Sequence, residues 1–181
     1  NTSISLRNKK KLMTKGCYAE GKDGYCEYAS KQAFFIQNQY RAEKGIAPLI
    51  WSKELYNVSK IRSKELTKLY SHTRPDGSYC RDLFVSYFGK ERCKNFQDNY
   101  RAWTKANGKE AVRGAEECYS ENAGCGMYGP LRIMIAWKRS SGHYATITDS
   151  ENISGAVSCY DDGYNEYWIS SFVCVDVDNI K

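Results

Sequence analysis

Only two histidines occur in 181 residues, at positions 72 and 143, and proline and methionine are nearly as scarce, with three copies of each. Imidazole chemistry, acid-base or metal-ligating, is therefore confined to His72 and His143. No run of 18 or more apolar residues is present, which excludes a membrane-spanning helix. None of the eight cysteines sits in a C-x-x-C pair, so the usual signature of zinc ribbons and thioredoxin-like redox sites is missing. The net charge of +6 is uneven: Arg7, Lys9, Lys10, Lys11 and Lys15 crowd the start, while Asp161, Asp162, Glu166, Asp176 and Asp178 crowd the end. No nucleic-acid-binding motif accompanies the basic start, which reads as a solvated arm, and no nucleic-acid partner is expected.

Apolar residues make up 41% of the chain and aromatics 14%, enough for a real hydrophobic core in one domain of this length. The even cysteine set (Cys17, Cys26, Cys80, Cys93, Cys118, Cys125, Cys159 and Cys174) reads as disulfides made in an oxidising compartment, which predicts a secreted, extracellular protein. Eight cysteines allow 105 connectivities. The preferred one pairs sequence neighbours: 17 with 26, 80 with 93, 118 with 125, and 159 with 174.

Residues 1–27 read as an N-terminal arm with a small disulfide loop, followed by one domain over 28–181. Apolar positions 29, 33, 36 and 40 predict a helix over 28–44, stopped by Gly45 and Pro48. Ser52 is positioned to cap a second helix, running to about Tyr70. His72 then falls at a helix-to-turn junction, with Pro75-Asp76-Gly77 as the turn. Leu83 to Phe88 predict a short helix ending at Gly89, and the polar, basic stretch 90–114 reads as an insertion with helical spacing at Phe96, Tyr100 and Trp103. A last helix around Leu131 to Trp137 is expected to stop at Ser140-Ser141-Gly142, just before His143. The period then switches to an antiparallel hairpin through Ala156–Tyr160 and Tyr167–Val177. Helices first and strands last give an α+β class.

The stretch from Phe35 to Gly77, with Asn38, Arg41, Gly45, Pro48-Leu49, Trp51, Leu55 and His72-Thr73-Arg74-Pro75-Asp76-Gly77, resembles the opening of a CAP domain. That superfamily unites cysteine-rich secretory proteins, antigen 5 and plant pathogenesis-related proteins. Two further pieces follow in the family's order. Glu121-Asn122-Ala123 is similar to its G-E-N-(I/L)-A element, and Trp137-Lys138-Arg139-Ser140-Ser141-Gly142-His143 to its W-x-x-S-x-G-H element. The resemblance implies a three-layer α-β-α sandwich with a central, mostly antiparallel sheet, disulfide-stabilised here. It also implies an open cleft carrying two histidines and up to two glutamates. Matched position by position, His72, His143 and Glu121 are the first three cleft residues, and Ser140 stands where the second glutamate would be. The turn and the Ser-Ser-Gly-His form look more like the family's microbial branch.

Two neutral imidazoles can hold zinc or another divalent cation weakly, with Glu121 orienting a bound water or accepting from an imidazole. Glu121 has an alternative internal role, fixing the loop before Asn122. A metal-dependent hydrolase built from His72, His143 and Glu121 is one reading, but the missing second glutamate weakens its acid-base chemistry. The resemblance favours a non-catalytic binding protein, monomeric and without a transmembrane segment, for a small lipid or sterol, or for a host, defence or receptor partner.

Overall fold

The structure, a computed structural model, describes residues 23–110 and 118–181. Helix α1 (Glu27–Glu43) begins at Cys26, whose extended backbone lets its Sγ accept from the Ala29 amide. It ends where Gly45 turns the chain at φ +68°, a conformation that costs glycine nothing. Helix α2 (Lys53–Glu65) is capped by Ser52, whose hydroxyl accepts from the Leu55 amide at 3.0 Å. The α2 helix stops short of Tyr70, because Arg62 Nη2 donates to the Ser71 carbonyl at 2.8 Å and draws the chain back into turns.

Helix α3 (Cys80–Phe88) ends at Gly89, and α4 (Lys90–Ala106) follows at once. Phe96 and Tyr100 of α4 are fully buried in one core with Phe84, so the 90–114 stretch contributes a helix to that core as far as Ala106. Helix α5 (Pro130–Arg139) buries Ile133, Met134 and Trp137. The helix stops at Ser140 as expected, its backbone extended there, but a second helix that was not expected, α6 (Ser141–Ile147), starts immediately and contains His143.

Four strands form one sheet in the order β1-β3-β4-β2. Strands β3 (Ser154–Asp161) and β4 (Glu166–Val173) are the predicted hairpin. Two strands were not legible in the sequence. β1 (Ile50–Trp51) runs parallel to β3 but is too short to show alternation. β2 (Tyr119–Cys125) pairs antiparallel with β4 from Tyr119 opposite Val173 to Cys125 opposite Tyr167. Its Ser-Glu-Asn-Ala-Gly run has poor strand propensity, and the ladder with β4 overrides that preference.

Alternation along the hairpin feeds two cores. Ala156 and Val173 face α2, α3 and α4, while Val157, Trp168 and Phe172 face α1, α5 and α6. The sheet is thus the middle of three layers, α-β-α. Gly124 lets α5 lie directly on β2, since a Cβ there would collide with the Ile133 side chain.

The strand register corrects the neighbour pairing of cysteines. Cys159 lies opposite Trp168, six residues before Cys174, so those two are separated by about 20 Å of strand. Cys118 and Cys125 bracket β2 and are about 23 Å apart along it. Cys80 opens α3, whereas the Cys93 amide bonds the Gly89 carbonyl beyond the far end of that helix, after a rise of about 13 Å. A disulfide spans Cα atoms no more than about 7 Å apart. Cys17 and most of the predicted arm lie outside the described residues.

Candidate functional site

Strand β2 is an edge strand, and its adjacent residues Glu121 and Asn122 point to opposite faces of the sheet. Glu121 therefore reaches the α2 layer and Asn122 the α5–α6 layer. Each touches one of the two histidine segments. The Ala123 carbonyl accepts Trp137 Nε1 at 3.2 Å from one layer and the Tyr70 hydroxyl at 3.5 Å from the other, which occupies that edge acceptor.

On the first side, Glu121 is a buried carboxylate with an unusually full set of donors. Its Oε1 accepts from Arg62 Nη2 at 2.8 Å and bonds His72 Nδ1 at 3.0 Å. Its Oε2 accepts from Arg62 Nε at 3.1 Å and the Tyr119 hydroxyl at 2.9 Å. Burial alone would raise the Glu121 carboxyl, but the hydrogen bonds from His72 and Arg62 and the guanidinium charge outweigh it and hold the pKa below the usual range. Arg62 answers in kind: burial would lower it, yet Glu121 and Glu65 hold it above its ordinary value. The ladder continues outward. Glu65 bonds Arg62 Nη1 at 2.7 Å and Arg74 Nη2 at 2.8 Å, and Arg74 meets Asp76 at 3.2 Å, so the turn carrying His72 is tied to α2 by charge.

Cys80, the first residue of α3, lies beside Glu121, and burial and the carboxylate push its thiol up to about 12. The ligand atoms of His72, Cys80 and Glu121 lie within 4.8 Å of one another. The carboxylate oxygens are already occupied by four donors, so the trio is satisfied without a cation. Sequence reasoning missed Cys80 at the site, having assigned every cysteine to a disulfide.

On the second side, His143 sits on α6, its ring 6.3 Å from that of Trp137. Its backbone carbonyl accepts from Asn122 Nδ2 at 3.0 Å. The far end of α6 is held by Arg41, which is buried and donates to the carbonyls of Ala47, Ile147, Asp149 and Asn152 at 2.8–3.0 Å. Burial without a carboxylate lowers the Arg41 pKa to about 10. His143 is lowered in turn, first by burial and then by His72. Ser140, at the junction of α5 and α6, supplies its carbonyl to the Tyr144 amide at 2.8 Å, and its side chain makes no capping hydrogen bond.

Helices on both faces of a short, mostly antiparallel sheet, with two histidine segments meeting at one edge strand, define a protein class. The chain belongs to the CAP family, the cysteine-rich secretory protein family, whose model matches residues 34–175. Solved structures share the fold at low identity. An extracellular protein of Bacillus anthracis containing an SCP domain is 14% identical with a TM-score of 0.58, over 96% of this chain and 45% of that one. An outer surface protein of Borrelia burgdorferi is 13% identical with a TM-score of 0.58, over 79% of this chain and 90% of that one. The CAP domain of enterococcal PrgA is 13% identical with a TM-score of 0.52, over 93% and 70%. The chain thus spans under half of the Bacillus protein. No curated protein matches it by sequence. Among the described residues no helix is long and apolar enough to cross a membrane.

Proposed function

We propose that this is a secreted CAP-family binding protein, and that its cleft presents His72 and His143 to a ligand without hydrolytic chemistry. The observation that carries this reading is the state of Glu121. The residue best suited by type to serve as general base already accepts Arg62 twice, Tyr119 and His72, and is held ionised by them. A base needs a free lone pair facing the reacting proton. Glu121 instead orients His72, in the manner of carboxylates that stand behind metal-binding histidines.

A divalent cation such as zinc fits this donor set weakly. Bonding through Nδ1 leaves His72 with Nε2 available, and a lowered pKa keeps the His143 imidazole neutral to lower pH. Two nitrogen ligands are one fewer than catalytic zinc sites ordinarily have. A cation held there would supply a positive charge to an anionic or carbonyl group of the ligand. The ligand classes that suit the family are a small lipid or sterol, or a protein partner, met by a monomer outside the cell.

Calorimetric zinc titration, with turnover assays on peptide and ester substrates, tests the reading. The expected result is weak zinc binding that is lost in His143→Ala, and no zinc-dependent turnover. Hydrolysis that disappears in the His72→Ala, His143→Ala double variant would overturn it.

A further inference from the structure

Two pairs of cysteines that are far apart in sequence lie opposite each other at the ends of backbone ladders. Tyr25 bridges Tyr160 antiparallel, and the next residues in are Cys26 and Cys159, with the Cys26 amide donating to the Cys159 carbonyl at 3.3 Å. Both are buried in the core on the α1 face. At the other end of the sheet, Tyr119 is paired with Val173, and the flanking residues are Cys118 and Cys174, with the Cys174 amide donating to the Cys118 carbonyl at 3.2 Å. Both belong to the core on the α3–α4 face. Directly opposite, hydrogen-bonded residues of an antiparallel ladder have Cα atoms about 5.5 Å apart and side chains on the same face. That separation is the commonest one for disulfides.

We infer that the oxidised protein carries the bonds Cys26–Cys159 and Cys118–Cys174, and that Cys80 is kept as a thiol in the histidine cleft. In each bond two Sγ atoms join as two protons and two electrons pass to a disulfide oxidant, which is reduced to its dithiol. Cys118 has a second neighbour, Cys93 of α4, whose thiol is raised to about 11 by burial and then by Cys118. The ladder favours Cys174, because it holds the two backbones in register, whereas Cys93 approaches from a separate helix. A thiol so raised is poorly able to attack the finished bond and reshuffle it. Cys80 lies with its ligand atom within 4.8 Å of those of Glu121 and His72 and has no comparable cross-ladder cysteine partner among the described residues.

The wiring bears on the site. The Cys118–Cys174 bond anchors β2 three residues before Glu121, and the Cys26–Cys159 bond pins the start of α1 to β3. Both close long loops, where a cross-link constrains the unfolded chain most.

The full chain, produced by an oxidising secretory route, is denatured without reductant, alkylated with iodoacetamide, digested and analysed by mass spectrometry. The expected result is two linked peptide pairs, Cys26 with Cys159 and Cys118 with Cys174, each two hydrogens lighter than its separate peptides, and an alkylated Cys80. A Cys17–Cys26 or Cys93–Cys118 link, or alkylation of all four ladder cysteines, would overturn the assignment. As a second readout, dithiothreitol should lower the thermal midpoint by at least about 8 °C. An unchanged midpoint contradicts the two bonds.

Discussion

The two histidine segments are each anchored by a buried arginine, and they are anchored differently. Arg62 fixes the His72 turn through carboxylates, Glu121 and Glu65, with one carbonyl from Ser71. Arg41 fixes α6, which carries His143, through backbone carbonyls alone. The first arrangement balances charge with charge, and its arginine is held above its ordinary pKa. The second leaves one positive charge among neutral dipoles, and its arginine is lowered to about 10. The His72 side is therefore sensitive to acid and to loss of any one charge, while the His143 side depends on geometry.

The largest effect is expected from Arg62→Met, which leaves Glu121 buried without its cation and should lower stability by about 3–5 kcal/mol in urea denaturation. That loss should shrink in acid, as the stranded carboxylate takes up a proton. Arg41→Met strands only neutral carbonyls, each costing roughly 1–3 kcal/mol if no water replaces the donor, and its cost should not shrink in acid. Equal pH responses in the two variants would erase the contrast.

Glu121→Gln isolates the titration itself. The folded-state carboxyl lies below the unfolded value near 4.5, so its contribution is present above that pH and is lost as pH falls through the folded pKa. Wild type should lose thermal stability below about pH 4.5 more steeply than the Gln variant. The smallest effect belongs to Asn122→Ala, which removes one hydrogen bond to the His143 carbonyl and should cost about 1 kcal/mol. Its imidazole signals in NMR should shift at His143 and stay in place at His72.

The scarcity of histidine singles out His72 and His143 and motif order adds Glu121; the structure bonds His72 to Glu121 and the His143 carbonyl to Asn122. What remained hidden depended on contacts across long sequence distances. Arg62 looks like a surface residue of a lysine-rich helix until Glu121 arrives from β2, 59 positions away. Arg41 stood in the motif with no role, because three of its four acceptors are backbone atoms 106 to 111 positions on. α6 was missed because Ser141 and Gly142 are poor helix formers. The cysteine pairing was misread because proximity in sequence was taken for proximity across a sheet, where register decides.

In the function we propose, the two histidines serve one cleft while Glu121 orients His72 from behind. The most direct measurement is zinc titration of the wild-type chain followed by imidazole ¹H–¹⁵N correlation spectra. The account predicts that His72 and His143 shift with a common midpoint and that His72 is perturbed at Nε2, with Nδ1 still bonded to Glu121. Separate midpoints, or zinc bound at Nδ1 of His72, would contradict it.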